Sequence, residues 1–274
     1  MTIVDSPSFL DHDGCRLVFA VRGAGEPVLW IQGVGVHGDG WMPQVEALAE
    51  RYRCLWFDNR GVAQSQPVAG KLSVERMAGD ALALLNAAGM DRAHIVAHSL
   101  GGLVALHLAL QARARVRSLS LLCTFANGRA VGASARMIWL GTRTRLGTRR
   151  MRRAAFLEMV IPPESLASAD RDALAAKLAP VFGHDLADHP GVEMEQLAAM
   201  RTYDVTPRLA ELAGMPTLVV SAAHDPVAPP ALGRAIATGI PGSRYVELDG
   251  GSHGVPIQAP ERINALLLDH LDRN

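Results

Sequence analysis

Short apolar runs alternate with helix-like stretches along most of the 274-residue chain. Apolar runs of this length, bounded by turn residues and separated by helical patterns, are typical of a mostly parallel sheet covered by helices on both faces. The sequence therefore predicts an α/β fold. The strand-like runs lie at 17–21, 28–32, 54–57, 94–97, 119–123, 217–221 and 245–248, and the helical patterns at 41–50, 73–88, 100–112, 230–238 and 260–271.

Two departures from the alternation are informative. The runs 17–21 and 28–32 are separated only by a short stretch with two glycines and a proline, which predicts that they form an opening hairpin. The alternation then stops after Cys123 and resumes only near Thr217. Residues 127–207 contain helix-like stretches without a convincing strand, so we expect a helical cap over the strand ends, inserted into a core domain of residues 1–126 and 208–274.

Charge and cysteine usage limit the partners of this chain. The 27 basic residues balance the 27 acidic ones, so no global field favours a nucleic-acid partner. No run of about 18 apolar residues, as a membrane span requires, occurs in the sequence. The three cysteines are odd in number and far apart, which fits a reducing compartment. We expect a soluble, cytoplasmic protein that acts on a small molecule; nothing in the sequence predicts its oligomeric state.

Ser99 lies where the apolar run 94–97 ends and an Ala/Leu-rich helical pattern begins. The surrounding residues match G-x-S-x-G except that Ala97 replaces the first glycine, with Gly101 at the second. A serine hydroxyl becomes a good nucleophile when such a turn holds it beside a base and next to backbone N–H donors. An ordinary strand-to-helix turn with a serine cap has the same local pattern, so only other residues of the chain can distinguish a nucleophile from a capping serine.

A base and an acid follow two later strand-like runs. Asp225 comes shortly after the run 217–221, and His253 comes shortly after the run 245–248. Because the carboxyl ends of parallel strands meet at one edge of a sheet, both side chains are expected near Ser99. The order serine, aspartate, histidine is that of the nucleophile, acid and base in α/β-hydrolases. Asp249 is a weaker rival for the acid.

Taken together, these motifs resemble the α/β-hydrolase superfamily, specifically its cap-bearing esterases, lactonases and C–C hydrolases. The resemblance includes the sequence FDNRGVAQS at 57–65, similar to the family's D-x-R-G-x-G-x-S turn, and Pro260-Glu261-Arg262 after His253. It implies a mostly parallel central sheet with helices on both faces and a helical cap after the sixth strand. It also implies Ser99 as nucleophile, His253 as base and Asp225 as acid, with no cofactor.

The resemblance further implies an oxyanion hole made of two backbone N–H groups. One is that of Leu100, directly after the nucleophile, and the other that of Val34 in the loop after 28–32. Gln32 stands where the family usually has histidine. Because the donor is a backbone group, the oxyanion hole is expected to survive this change.

Several other residues have a candidate role and a plainer alternative. Trp41, Phe125, Met137 and Trp139 are candidates to line an apolar substrate pocket, or else pack in the core. His98 is expected to pack near the serine turn, and Asp58 to fix its own turn together with Arg60.

Two polar stretches of the cap also have alternative interpretations. Residues 129–153 contain eight arginines and no acid, which predicts a solvated helix face rather than an anion-recruiting or membrane-touching surface. His184, Asp185, Asp188 and His189 have residue types that bind metals, but serine-triad chemistry needs no metal and we expect a polar cap surface.

The predicted function is hydrolysis of a carboxylic ester or lactone of a small, largely apolar substrate through an acyl-enzyme. A C–C bond hydrolase, a perhydrolase or haloperoxidase-like enzyme, and an acyltransferase use the same triad. Serine in place of aspartate at the turn argues against haloalkane dehalogenase and epoxide hydrolase activity. A ligand-binding sensor on a hydrolase scaffold is the alternative outside enzymes, and an intact triad argues against it.

Overall fold

The computed structural model describes residues 7–131 and 134–274, and an eight-stranded sheet forms its centre. The strands lie in the order β1-β2-β4-β3-β5-β6-β7-β8. All neighbours from β4 to β8 are parallel, whereas β2 is antiparallel to both β1 and β4. The strands are β1 (Ser8–His12), β2 (Cys15–Arg22), β3 (Glu26–Ile31), β4 (Tyr52–Phe57), β5 (Ala93–His98), β6 (Val116–Leu122), β7 (Thr217–Ala222) and β8 (Arg244–Leu248).

Helices cover both faces of this sheet, and others lie above its carboxyl edge. The helices are α1 (Met42–Leu48), α2 (Val74–Ala87), α3 (Leu100–Gln111), α4 (Ala135–Arg143), α5 (Arg149–Val160), α6 (Pro163–Ala167), α7 (Arg171–Phe182), α8 (Glu193–Arg201), α9 (Pro230–Gly239), α10 (Val255–Gln258) and α11 (Pro260–Asp272). Short 3₁₀ helices lie at Gly38–Trp41, Arg113–Arg115, Gly128–Ala130 and Thr206–Leu212.

The central strands are apolar because both of their faces are covered. One face of the sheet packs against α2 and α3, and the other packs against α1 and α11. α3 is buried over most of its surface and begins directly after Ser99. Parallel strands covered in this way must bury nearly every side chain, which is why they form continuous apolar runs in the sequence. The predicted α/β class is therefore confirmed.

The predicted hairpin between 17–21 and 28–32 is wrong. β2 forms its hairpin with β1, which the sequence did not reveal, and its other neighbour is β4. The connection from β2 to β3 crosses the end of β4: a Cβ built on Gly23 would lie 2.3 Å from the carbonyl oxygens of Ala49 and Tyr52. Gly23 also has a φ of +86°, in the left-handed region that favours glycine. A later strand inserted between two earlier ones leaves no local sequence signal.

The chain leaves the sheet after β6 and returns at β7, and the helices between them are α4 to α8. The two ends of this segment meet in an antiparallel bridge between Asn127 and Asp204. α5, α6 and α7 share a hydrophobic cluster of their own. α8 differs, because its Ala199 and Met200 belong to the large core on the α2 and α3 face. The helical cap after the sixth strand, expected from the resemblance, is present; the limits 127–207 as a separate domain stay a prediction.

Among residues 7–131 and 134–274, no helix is long and apolar enough to cross a membrane. Cys15, Cys54 and Cys123 are buried free thiols.

Candidate active site

Ser99 occupies a strained turn at the carboxyl end of β5. Its φ is 54° and its ψ is −123°, a conformation that L-residues rarely adopt and that costs about 1–3 kcal/mol. The backbone is held there by two hydrogen bonds from β6 and the residues after it. Ser99 N–H donates to the Leu122 carbonyl at 3.1 Å, and the Thr124 hydroxyl donates to the Ser99 carbonyl at 2.6 Å. The turn thus presents the Ser99 hydroxyl above the sheet edge.

Small residues make this turn possible. A Cβ built on Gly101 would lie 2.4 Å from the Ile31 carbonyl oxygen, and one on Gly102 would lie 2.2 Å from the Thr124 hydroxyl oxygen. Ala97, which departs from the usual glycine, is fully buried on β5. The close approach of α3 to β3 and to the residues after β6 therefore requires glycine at 101 and 102, whereas position 97 accommodates a methyl group.

The structure brings Ser99, His253 and Asp225 into one hydrogen-bonded series. His253 Nε2 lies 3.0 Å from Ser99 Oγ, and His253 Nδ1 lies 2.7 Å from Asp225 Oδ2. Asp225 follows β7 and His253 follows β8, as the parallel sheet predicts. The second carboxylate oxygen of Asp225 accepts hydrogen bonds from the N–H groups of Val227 and Ala228 at 2.8 and 2.9 Å. All three side chains are buried.

These distances determine which imidazole nitrogen carries the proton. An ionised carboxylate only accepts hydrogen bonds, so His253 Nδ1 donates to Asp225. In the neutral ring Nε2 is then the acceptor and receives the Ser99 hydroxyl proton. This is the geometry in which a histidine can remove a proton from a serine during attack on a carbonyl. The rival acid, Asp249, is exposed at the surface.

His98 supports the loop that carries His253. Its Nε2 donates to the His253 carbonyl at 2.9 Å, and its ring lies 4.7 Å from the His253 ring between centroids. Burial, together with the positive charge that His253 can carry, lowers the pKa of His98 to about 3. His98 therefore stays neutral at physiological pH and acts as a fixed donor next to the serine turn.

Two backbone N–H groups beside Ser99 remain free to bind a ligand. Neither Val34 nor Leu100 donates its N–H to an acceptor in the part of the chain that the structure describes. Gln32, in the position where histidine is usual, turns its side chain back so that Oε1 accepts from Gly33 N–H at 3.1 Å. Its main-chain carbonyl accepts from the Asn59 side chain at 2.9 Å. The loop after β3 is therefore held from two sides.

Asp58 does not pair with Arg60, so this prediction is wrong. Asp58 Oδ1 instead accepts from Gly38 N–H at 2.8 Å. The fully buried Arg60 points the other way and forms a two-pronged ion pair with the buried Asp80. The chain turns after β4 ends at Phe57, so Asp58 lies beneath the Gly38 loop and Arg60 points toward Asp80 of α2.

A cavity of about 620 Å³ opens above Ser99. Its floor contains Ser99, His98, His253 and Trp41, and the cap supplies much of its wall. The large apolar cap side chains in this wall are Met137, Ile138, Leu146, Phe156, Met159, Phe182, Met194 and Leu197. Most of this wall is apolar, so the cavity suits an apolar ligand group, whose removal from water is favourable.

Two of the four predicted pocket residues line this cavity and two do not. Trp41 and Met137 are in its wall. Phe125 is instead buried in the core on the α2 and α3 face, because the chain after β6 turns it inward before the cap begins. Trp139 is 56% exposed, and the Arg143 guanidinium stacks over its ring at 4.3 Å. On a helix, residues two positions apart point in different directions, so Met137 and Trp139 cannot both face the cavity.

Most of the arginine-rich segment binds carboxylates of the cap itself. Five of its eight arginines form ion pairs with side chains at 158, 172, 185, 188 or 193; these are Arg143, Arg145, Arg149, Arg150 and Arg153. Only Arg145 among the eight lines the cavity, and its partner there is Glu193. These arginines therefore connect the cap helices, whose acids lie later in the chain.

Contacts within the cap account for the four polar residues considered as metal ligands. His184 Nδ1 donates to the Asp185 carbonyl at 2.9 Å. Asp185 and Asp188 bind Arg149, and the arginines around Asp185 lower the pKa of its carboxyl. His189 lies between Glu193, at 2.7 Å, and the Thr144 carbonyl, at 2.9 Å. Within 7–131 and 134–274 no group of three or more histidine, cysteine or acidic side chains is arranged to hold a metal ion.

Three residues near the site were not identified from the sequence. Thr124 holds the Ser99 carbonyl, as described above. Cys123, with a φ of 46°, lies beside Asp225, and burial together with that carboxylate raises the pKa of its thiol well above the usual range. Gln196 of α8 accepts from Gly35 N–H at 2.8 Å. Cys123 and Thr124 directly follow β6, the strand next to β5, so their position in the sequence could have predicted that they lie near Ser99. Nothing in the sequence around Gln196 predicts its contact with Gly35.

Comparison with known proteins agrees with this fold. The family model of the alpha/beta hydrolase fold matches residues 26–260, so the chain belongs to the α/β-hydrolase family. The family expected from the motifs is therefore confirmed.

Particular relatives point to hydrolytic activity. The chain is 33% identical over 262 residues to a protein of Azorhizobium caulinodans named "Putative carbamate hydrolase RutD", covering 94% of this chain and 96% of that protein. A hydrolase from Pseudomonas aeruginosa PA01 has a similar structure (28% identity, TM-score 0.82, 98% of this chain and 99% of that chain). So does the enol-lactonase from Burkholderia xenovorans LB400 (26% identity, TM-score 0.81, 97% and 100%). The family and these relatives support hydrolase activity for this chain.

Proposed function

We propose that this protein hydrolyses a carboxylic ester or lactone of a small, largely apolar substrate through an acyl-enzyme formed on Ser99. The observation that carries the proposal is the continuous series from Ser99 Oγ to His253 to Asp225, at 3.0 and 2.7 Å, on the floor of a mainly apolar cavity. A protein that only bound its ligand would have no use for a buried nucleophile, base and acid aligned in this way.

In the first half of the reaction, Ser99 Oγ attacks the carbonyl carbon and its proton passes to His253 Nε2. The carbonyl π electrons move onto the oxygen, which the Val34 and Leu100 N–H groups stabilise as an oxyanion. Asp225 stabilises the imidazolium ion and keeps it oriented. The tetrahedral intermediate then expels the alkoxy oxygen, which takes the proton from His253 and leaves as an alcohol. With a lactone, that alcohol stays attached to the acyl group.

Water completes the cycle. It attacks the acyl carbon and gives a proton to His253, and the second tetrahedral intermediate breaks its bond to Ser99 Oγ. The proton returns from His253 to Ser99, and the carboxylic acid leaves. No bound metal or organic cofactor is required in this proposal.

A carbamate is the second candidate substrate, because the similar protein of A. caulinodans has a name that specifies a carbamate hydrolase. The same residues would form a carbamoyl-enzyme, since a carbamate also presents a carbonyl carbon bonded to an alkoxy oxygen. The lactone alternative is supported in the same way by the enol-lactonase neighbour. The apolar cavity wall supports substrates whose carbonyl carries an uncharged group.

The decisive experiment compares p-nitrophenyl acetate, p-nitrophenyl carbamate and an aliphatic lactone on the wild-type protein and on Ser99→Ala. We expect Ser99→Ala to lower kcat for the preferred substrate by at least about 10⁴-fold while circular dichroism and the thermal midpoint remain those of a folded protein. Turnover retained in folded Ser99→Ala would overturn the mechanism. The ratio of kcat/KM among the three substrates distinguishes the ester, carbamate and lactone alternatives.

Covalent labelling separates an enzyme from a sensor. A fluorophosphonate should phosphonylate Ser99 Oγ with release of fluoride, and His253→Ala should lose this labelling as Ser99→Ala does. A folded wild-type protein that neither turns over these substrates nor reacts with the probe would favour the ligand-binding alternative.

A further inference from the structure

One side chain of the cap reaches the loop that carries the Val34 N–H group. Gln196, in the middle of α8, is fully buried and accepts a hydrogen bond from Gly35 N–H at 2.8 Å. The two residues are 161 positions apart in the chain. Gly35 has a φ of +67°, in the left-handed region that favours glycine, so this bond holds a backbone conformation that has no support from a regular strand or helix.

The residues before and after Val34 are both held by hydrogen bonds from their N–H groups. Gly33 N–H donates to Gln32 Oε1 at 3.1 Å, and Gly35 N–H donates to Gln196 Oε1 at 2.8 Å. The N–H of Val34 belongs to the peptide unit between these two held units. Because a peptide unit is planar, fixing the units before and after it restricts the direction of the N–H vector between them.

α8 is held firmly enough by the core to fix the position of this loop. At its start, Val192 packs so closely on Gly61 that a Cβ built there would lie 2.3 Å from the valine Cγ2 atom. At its end, a Cβ built on Gly128 would lie 1.9 Å from the Met200 carbonyl oxygen. Core residues therefore contact the helix at both ends, and Gln196 lies between these contacts.

The side-chain NH₂ group of Gln196 is buried and has no hydrogen-bond partner among the described residues, which argues against a role in stability alone. A buried donor without a partner destabilises the folded state, so a methionine of similar length would suit this position better if packing were all that mattered. Only the oxygen of Gln196 has a structural partner, and that partner is the oxyanion loop.

We propose that Gln196 is a positioning residue that orients the Val34 N–H group toward the oxyanion, so that one residue of the cap completes the oxyanion hole of the core. This inference rests on the proposed function, in which Val34 N–H binds the oxyanion. Gln196 acts through Gly35 and does not itself contact the reacting atoms.

The test uses Gln196→Met, which keeps the length of the side chain and removes its acceptor. We expect kcat for the preferred ester to fall about 10- to 100-fold, less than the 10²- to 10³-fold loss typical of deleting an oxyanion donor, because Val34 N–H is misdirected rather than absent. KM should change less than about threefold, since the loop contributes to the transition state more than to ground-state binding. Gln196→Asn, whose oxygen is one methylene short of the loop, should show the same loss and provides a second variant if the first folds poorly.

A transition-state mimic supplies the readout that a purely structural role would not change. A trifluoromethyl ketone matched to the acyl group forms a hemiketal oxyanion on Ser99, and its affinity should fall by about the same factor as kcat in Gln196→Met. The affinity of the uncharged alcohol product should stay the same. Ser118→Ala is the matched control: it removes a buried hydrogen bond of 2.8 Å to His94, neither residue lines the cavity, and the variant should lower the thermal midpoint without changing kcat.

The kinetics of Gln196→Met and Ser99→Ala distinguish failure of the inference about Gln196 from failure of the proposed function. If Gln196→Met keeps the wild-type kcat and ketone affinity while Ser99→Ala abolishes turnover, the proposed function holds and the inference about Gln196 is overturned. If Ser99→Ala retains turnover, the proposed function itself fails. Equal loss of kcat in folded Gln196→Met and Ser118→Ala would also overturn the inference, because it would show a general effect of lost stability.

Discussion

Helices α4 and α8 both have nine residues and both contribute side chains to the cavity, but they are attached to the molecule very differently. α4 buries only Leu140 and leaves Ile138 62% exposed at the cavity wall. α8 buries Gln196, Ala199 and Met200, and the last two belong to the main hydrophobic core. One helix is a loosely held wall of the cavity, whereas the other is an extension of the core.

This difference shows that a cap need not act as one unit. The side chains of α4 can move without disturbing the sheet, because few of them pack against it. Any displacement of α8 changes the core and, through Gln196, the loop after β3. We therefore expect changes near α8 to affect stability and turnover, and changes in α4 to affect substrate affinity.

The largest effect is expected where the core supports the end of α8. In Gly128→Ala the new methyl group would lie 1.9 Å from the Met200 carbonyl oxygen, so the backbone must shift and the free energy of unfolding should fall by about 1–3 kcal/mol. Urea denaturation measures this loss. Gly141→Ala in α4 is the matched control: apart from its chain neighbours and its own helix backbone, no described residue has an atom within 4 Å of its built Cβ, and alanine should stabilise the helix by about 0.5–1 kcal/mol. If the two substitutions changed the free energy of unfolding equally, α4 would be held by the core as firmly as α8, contrary to this comparison.

A smaller effect is expected at a hydrogen bond that ties the chain after α8 to α3. His107 Nδ1 on α3 lies 2.6 Å from the Tyr203 hydroxyl, and His107→Leu should lower the free energy of unfolding at pH 7.5 by about 1 kcal/mol. Burial lowers the pKa of His107 below its usual value of 6.5, so the unfolded chain binds a proton before the folded one. The stability contributed by the neutral ring is complete above pH 6.5 and is lost as the pH falls toward the folded-state pKa.

This pH dependence provides its own measurement. Urea denaturation between pH 7.5 and pH 5 should show a steeper loss of stability in the wild-type protein than in His107→Leu. A slope unchanged by the loss of His107 would contradict the expectation.

The smallest effect is expected at the exposed face of α4. Ile138→Ser removes apolar surface from the cavity wall, and an apolar side chain that is mostly exposed contributes about 1 kcal/mol or less to binding. KM for an ester with a long acyl chain should rise about two- to fivefold, with kcat and the thermal midpoint unchanged. Trp139→Ser is the control next to it, because Trp139 is similarly exposed but does not line the cavity. The same rise in KM for both variants would show that α4 acts as a general apolar surface.

Features that depend on residues close together in the sequence could be predicted, whereas features that depend on residues far apart in the sequence could not. The central strands and their helices were predictable because burial on both faces produces apolar runs that are visible locally. The hairpin was wrong because β4 is inserted between β2 and β3, and the pairing of strands is not a local property. Phe125 and Trp139 were misplaced for a related reason: their hydrophobicity indicates burial or contact but not which partner they meet.

The sequence alone determined the family and indicated which residues meet in the candidate site, because Ser99, Asp225 and His253 each follow a strand whose carboxyl end the parallel sheet directs to the same edge. Tertiary structure alone decided what surrounds that site. Gln196 meets Gly35 across 161 positions, and the arginines of 129–153 find their carboxylates later in the cap. The physical reason is that strand ends converge by a rule of backbone geometry, whereas side-chain contacts between distant segments depend on how each helix packs.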